Sequence, residues 1–549
     1  MNKMTGKAGE EALCARVILH GIAAPYRQMP EEALVKAKKK LKQVGLNASR
    51  LSIAKRSVDA RKKTDVTFVY SVSATLDEAS AALIRKKPQV LEGIRAVLEE
   101  SAPPQPEKGS AELRGPVVVV GFGPCGMFCA LELARAGYNV TVVERGDGVE
   151  ERKRKVDLFL ESGTLDPDCN VQFGAGGAGT FSDGKLVTRI NDPLGQSVLE
   201  AFCDLGAPRS ILTLARPHIG TDLLLGIVKN ASDEIARLGG RVLYRTKLEK
   251  ILTASDGRVY AIETNAGQMP CGALVLAIGH SARDTYKMLL SSGAELVGKD
   301  FSVGARVEHL QSDIDRALYG DADLSILGHA EYSLSYREGD RGVYSFCMCP
   351  GGEVICSSSA DGELVVNGMS NSARDGRTAN AAIAVSVLKS DYGGDPMKAI
   401  AYQRQIERAA FAAAGGSFTA PIQTLGDFLS GKSGSAPARV RPTFRKGKAV
   451  ALCDLHGILP PHVTAFMEKG FARFERQIEG FAAPDALLTG VETRTSAPLR
   501  ILRGEGFAVK GHDNLYPGGE GAGYAGGITS AAVDGLRIAR AIIARYKPS

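Results

Sequence analysis

The chain has 549 residues, too many for one hydrophobic core, so two or three domains are expected. A hydrophobic fraction of 44% and a charged fraction of 23% are those of a globular protein and exclude a disordered or fibrous one. The net charge of +7 is uneven: residues 1–100 carry 19 basic and 11 acidic side chains, a balance of +8, which leaves −1 for the remainder.

Residues 1–11 are polar and lack an apolar stretch, so no secretory signal is expected and the expected compartment is the cytoplasm. From residue 12 to 100 the pattern is strand, helix, strand, strand, helix. The strands are read in "ARVILHGI", "LSIAKRSV" and "VTFVYSVSATL". The first helix ends at Gly45, and the second runs over residues 78–99. That order predicts a small ferredoxin-like α+β module. Its basic runs, "KAKKKLK" and "DARKK", raise RNA phosphates or an acidic partner as a rival reading, in which this module docks an enzyme formed by the rest of the chain on RNA. A solvated helix face is the favoured explanation, because aromatic residues for base stacking are few. Residues 101–114, with "SAPPQPEKGS", read as an exposed proline-rich linker.

The composition then changes. "PVVVV" is a buried strand, followed by "GFGPCG", a helix and a second buried strand, "NVTVVERG". Residues 117–134 are almost free of charge, but three glycines and a proline in their middle fit a strand, turn and helix better than a membrane span. Gly121-x-Gly123-x-x-Gly126 between a buried strand and a helix has the context of a dinucleotide-binding turn. Gly121 permits the turn, Gly123 admits a pyrophosphate and Gly126 lets the helix approach the strand, with Pro124 and Cys125 beside them. Phosphates would then sit at the positive end of the helix. Glu144 ends the second strand, where an acid accepts ribose hydroxyls and disfavours NADP; Arg145 follows it.

Three further segments are rich in glycine. The first, "NVQFGAGGAGTFSDGKL" at residues 170–186, offers Gly174, Gly176, Gly177, Thr180, Ser182, Asp183, Gly184 and Lys185. The second, "LVLAIGHSARD", brings Gly279 to a turn. The third, "NLYPGGEGAGYAGGI", carries Glu520, Gly521, Gly526, Gly527 and Ile528 and leads into a last helix. A wide, flat isoalloxazine needs close backbone contact on several edges, and a helix N-terminus stabilises negative charge on its reduced form. Glycine segments in this order resemble those that surround the cofactor in FAD-binding proteins, so the expected cofactor is FAD, with Leu248 a further contact. The residues expected to serve chemistry are His280, Lys185, Cys347 and Cys349. For the cysteines, the alternating run "VYSFCMC" favours ordinary strand residues. Lys185 and Arg283 either meet an anion or pair with carboxylates, and Arg306, Glu308 and His309 either touch substrate or pair among themselves. The ten cysteines lie mostly in apolar runs, as free thiols do, and none has zinc-ligand spacing, so no metal is expected. A second G-x-G-x-x-G and a Cys-x4-Cys pair after the first motif are both missing. That argues against a dedicated NAD(P)H domain and against a disulfide reductase of the glutathione type.

The order of these motifs resembles FAD-binding proteins of the glutathione-reductase-like superfamily. More closely, residues 115–190, 271–284, 301–309, 343–372 and 512–535 resemble a family of bacterial FAD-dependent dehydrogenases whose members are mostly uncharacterised. The strings that carry this are "NVQFGAGGAGTFSDGKL", "GARVEH", "FCMCPGG", "VNGMSNSARDG" and "YPGGEGAGYAGGI", with "SVDARKKTDVTFVYSV" in the N-terminal module. The resemblance implies FAD and an α/β, Rossmann-like fold: an FAD domain over residues 115–299 and 507–549, interrupted by an α+β substrate lobe over 300–506. It settles no substrate; the chain is read as an oxidoreductase with a small-molecule substrate or acceptor, NAD(P)H as a transient donor, and no membrane partner. A non-catalytic flavin-binding protein is the other alternative.

Overall fold

The computed structural model describes residues 15–100, 102–188 and 190–548. The polar stretch 1–11 lies outside them. The chain divides into two compact units. The smaller is Met1–Ala102 together with Arg209–Pro217 and Tyr319–Gly328, and the larger is the rest.

In the smaller unit, four antiparallel strands lie in the order Ala48–Asp59, Thr67–Leu76, Arg16–Pro25, Ala96–Leu98. With helices Glu31–Gln43 and Glu78–Lys86 this is the split β-α-β, ferredoxin-like arrangement. Alternation in the first strand buries Val17 and Leu19, and the first helix buries Ala33, Ala37 and Leu41 against them. Lys38, Lys39 and Lys42 stay on its exposed face. The second helix is shorter than expected. Asp77 caps it by accepting from the Ser80 amide, but Pro88 cannot continue it, and the chain makes 3-10 turns before the short edge strand. Later in the chain, residues 209–217 bridge to Arg56 at the sheet's other edge.

The larger unit holds two main sheets. One has five strands, all parallel, in the order Leu515–Pro517, Ala273–Leu276, Val117–Val120, Val140–Val143, Arg241–Leu243. Every residue of the central Val117–Val120 strand is buried, as a parallel strand covered on both faces must be. Helices Pro124–Arg135 and Ile528–Arg545 pack so closely that a Cβ on Gly535 would lie 2.1 Å from the Cys125 carbonyl oxygen. The edge strand and the last helix therefore come from the far end of the chain. Within residues 101–114, read as an exposed linker, Gly109 and Ala111 donate to the Ile543 and Arg545 carbonyls of that helix.

The second sheet has seven strands, in the order Ser335–Glu338, Arg341–Cys349, Thr378–Val387, Phe301–Leu310, Leu487–Glu492, Ala420–Thr424, Val450–Leu452. It is antiparallel except for the last pair. Phe301–Leu310 is buried throughout. Leu296–Gly298 pairs with Leu499–Ile501, so the chain enters and leaves this layer side by side. Among the described residues no helix is long and apolar enough to cross a membrane.

Candidate functional site

Two helices begin at one cleft. Gly123 precedes Pro124–Arg135 and Gly527 precedes Ile528–Arg545, and neither cap has a side chain to occupy the first amides. The cleft has about 1680 Å³ of free space, open solvent at its mouth included. Both helix ends present N–H groups and partial positive charge to it.

The glycines around the cleft divide into two kinds. Gly121, at φ 99°, would bring a Cβ within 2.3 Å of the Ala277 carbonyl oxygen, and Gly126 within 2.0 Å of the Gly121 carbonyl. Protein packing alone demands these two. Around Gly526 and Gly527 nothing lies within 4 Å of a Cβ, and Gly527 is extended at φ 164°. At Gly123 a Cβ would make only an ordinary contact, 3.7 Å from Gly177 Cα. Neither steric clash nor backbone strain requires glycine at these three positions. Bare backbone on an open cleft suits a cofactor pressed against the main chain.

The Gly174–Lys185 loop is shaped from below by Arg152, a wholly buried side chain of the Val149–Ser162 helix. Its guanidinium donates to the carbonyls of Asn170, Val171 and Ala175 (3.1, 3.0 and 2.6 Å) and lies over Phe181. A Cβ on Gly174 would meet Arg152 Cδ at 2.4 Å. Glu144 joins three loops: it accepts from the amides of Phe122, Gly146 and Gly174 at 2.8–3.0 Å. A carboxylate has about four acceptor positions, so about one remains for a ribose hydroxyl. Tyr286 ties the other two glycine segments together: its hydroxyl donates to the Gly521 carbonyl at 2.7 Å and lies 3.2 Å from that of Gly279.

Of the residues expected at the cofactor, Gly121, Gly123, Pro124, Cys125, Glu144, Arg145, Gly174 and Gly177 line the cleft. So do Ser182, Lys185, Leu248, Gly279, Glu520, Gly526, Gly527 and Ile528, with His280 and Cys347. Gly126, Gly176, Thr180, Asp183, Gly184 and Gly521 stand behind its wall. Gly176 packs on Thr180 and Val228, Gly184 on Gly220, and Gly521 on Gly279; Asp183 is buried in ion pairs. Cys349 is buried behind Cys347.

A family model described as "FAD binding domain" matches residues 114–164, and one described as "FAD-dependent protein, C-terminal domain-like" matches residues 300–495. An uncharacterized protein of Clostridium beijerinckii is 45% identical over 514 residues, 92% of this chain and 95% of that one. The chain belongs to a family of bacterial FAD-dependent proteins. Among solved structures, L-amino acid deaminase from Proteus myxofaciens is 12% identical over 82% of this chain and 94% of its own, with a TM-score of 0.34. L-proline dehydrogenase from P. horikoshii is 12% identical over 78% and 93%, with a TM-score of 0.32. At those scores the likeness says nothing of substrate. The cofactor is FAD, and since FAD carries redox chemistry, this family member is an FAD-dependent oxidoreductase of unknown substrate.

The charged candidates of the flavoprotein mostly pair with carboxylates. Lys185 lies 2.8 Å from Asp183, which Arg374 also holds, and both cations reach Glu331. Arg283 and Arg494 converge on Glu407, at 2.7 and 2.9 Å, with Glu363 beside them. Arg306 pairs with Glu492 at 2.6 Å rather than with Glu308. Glu308 instead accepts from Thr443 and Thr489, and His309 bonds the Phe481 carbonyl.

At the cleft itself, His280 Nδ1 is 3.5 Å from Glu520, and its Nε2 is buried without a hydrogen-bond partner. Burial, then the charges of Arg494 and Arg283, push the imidazole down to about 3, so it is neutral at pH 7. Burial pushes Glu520 up to about 7, against the pull of Lys299. Sequence reasoning missed Arg152, Tyr286, Arg494 and Glu407. For Arg152 a signal existed: it shares the spacing of the buried residues Val149, Val156 and Phe159.

Proposed function

We propose that the protein transfers hydride or electrons between a small-molecule substrate and FAD in the cytoplasm, with NAD(P)H as a transient donor. It would do so on a glutathione-reductase-like FAD domain formed by residues 115–299 and 507–549, with residues 300–506 as the substrate lobe. The observation that carries the reading is the cleft onto which two uncapped helix N-termini open, lined by bare glycines that the protein's own packing does not require. The pairing of Leu296–Gly298 with Leu499–Ile501, at the lobe's entry and exit, supports the division.

Bound FAD supplies reversible two-electron chemistry. Gly123 and the helix behind it would hold the pyrophosphate, and Glu144 a ribose hydroxyl. Gly526, Gly527 and the amides of the last helix would hold the flavin's electron-poor edge when negative charge develops on it. Neutral His280 would donate or accept a hydrogen bond without adding charge, and Glu520, poised near neutrality, would hold or release a proton.

The test is an absorbance spectrum of the purified protein, followed by anaerobic NADH or NADPH. Oxidised-flavin bands bleached by one nucleotide are expected. Flavin that neither nucleotide bleaches overturns the donor assignment, and a chain that takes up no FAD overturns the reading. Gly123→Ala, Gly526→Ala and Gly527→Ala should leave the melting temperature of the apoprotein almost unchanged. Each should weaken FAD binding by about 5- to 150-fold, the cost of one methyl forced into a filled contact. Fluorescence titration with FAD reads this directly.

A further inference from the structure

Beside the cleft lies a pair of thiols that flavin binding does not explain. Cys347 lines the cleft with its backbone at φ 45°, where side chains other than glycine are uncommon. It sits in an irregularity of the Arg341–Cys349 strand: Phe346 pairs with Ala382, and the next pairing is Cys349 with Asn380. That turn is clamped. Arg306 Nη1 donates to the Cys347 carbonyl at 3.0 Å, and the Cys349 thiol points at the same oxygen at 3.2 Å. Arg306 is itself wholly buried and fixed by Glu492, Asn380 and Asn367, so the strained residue rests on a rigid base.

Residues two apart in the chain have Cα atoms no more than about 6.6 Å apart even where the strand is fully extended. That already falls within the roughly 4.4–6.8 Å a disulfide spans, and a bulge bends the strand further. The Cys349 thiol already lies against the backbone of Cys347. Both are free, Cys347 partly exposed on the cleft and Cys349 buried behind it.

We propose that Cys347 and Cys349 form a dithiol–disulfide couple that exchanges two electrons with the flavin bound in this cleft. The proposal rests on the placement of FAD given above. Closing the S–S bond removes two electrons and two thiol protons from the pair, and oxidised FAD accepts them and becomes reduced. In the opposite direction reduced FAD returns two electrons, two protons are taken up, and the S–S bond opens. Cys347 is the sulfur presented to the cleft, and Cys349 is the resolving one. The neighbouring Cys349 thiol, with the charges of Arg306 and Lys185, holds the Cys347 thiol below the ordinary range against its burial, while the Cys349 thiol is pushed up. A thiolate at neutral pH is the reactive form on the cleft side.

The experiment is an anaerobic dithionite titration of the FAD-loaded, air-oxidised protein, with thiols alkylated in denaturant and located by mass spectrometry before and after. The wild type is expected to consume four electrons per flavin, because a disulfide adds a two-electron couple. It should gain two alkylatable thiols on reduction, both in the peptide containing Cys347 and Cys349. Cys347→Ser and Cys349→Ser should keep the oxidised-flavin spectrum and consume two. Two electrons per flavin in the wild type, with both thiols alkylated in the oxidised protein, would overturn the couple while leaving the flavin assignment intact. Absence of flavin in the spectrum would overturn both.

Discussion

Arg152→Met should be the most damaging single substitution in the FAD layer. Methionine nearly matches the arginine in length, so the loss is chiefly of donors. Three buried carbonyls, of Asn170, Val171 and Ala175, would lose their partner at once. Each unsatisfied group costs about 1–3 kcal/mol, partly offset because the buried guanidinium is itself expensive. Burial pushes Arg152 down to about 10, a sign of that expense. A net loss of about 3 kcal/mol is expected, read as a lower urea midpoint of the apoprotein. FAD affinity should fall with it, because the loop that Arg152 holds forms a wall of the cleft. Arg152→Lys, which keeps the charge but not the planar fork, should fall between the two. If Arg152→Met unfolds at the wild-type urea midpoint, the loop does not depend on this residue.

Glu407→Gln should cost as much or more, and its partner Arg494 lines the cleft. Its carboxylate is fully buried and takes hydrogen bonds from Arg283, Arg494 and Thr493. Without its charge two buried guanidiniums are left to share Glu363, which Arg404 also binds. Breaking a buried ion pair from one side costs about 3–5 kcal/mol. The pH dependence has a definite sign. Burial alone would raise the Glu407 pKa, but Arg494 and Arg283 hold it well below the ordinary carboxylate range. A group depressed in the folded state stabilises above its unfolded value, about 4.3, and that contribution drains away as pH falls toward the folded value. The stability gap between wild type and Glu407→Gln should therefore be flat from pH 8 to about 5 and should narrow below about 4. Urea midpoints across that range measure it. A gap that widens on acidification would contradict the ion pairing.

The parts legible in the sequence were those encoded by neighbours along the chain. Four successive valines, then Gly121, Gly123 and Gly126, state a parallel strand, a turn and a close-packed helix within ten residues. The ferredoxin-like order of the small unit was equally local. What escaped were contacts between residues far apart in the chain. The glycines of residues 174–185 were read as facing flavin. Gly174 and Gly177 both line the cleft, yet Gly174 is bare because Arg152 lies beneath it, and Gly184, behind the wall, because Gly220 does. Composition cannot separate a glycine that faces a ligand from one that faces protein. Arg152 itself was concealed in a run of charges that reads as solvated, and only its place on the apolar stripe distinguished it. The helix read over residues 78–99 failed for a local reason, the proline at position 88.

The edge strand Leu515–Pro517 and the helix Ile528–Arg545 border the same layer as Val117–Val120 and Pro124–Arg135, hundreds of residues earlier. A ribosome finishes the first wall of the nucleotide site long before it makes the last. During that interval the nascent Val117–Val120 layer lacks its closing helix, and its apolar face is open to whatever binds unfolded chains. Nascent chains should thus acquire FAD only once the Ile528–Arg545 helix has emerged, and nucleotide supply before that point should matter less than a chaperone's occupancy of that face.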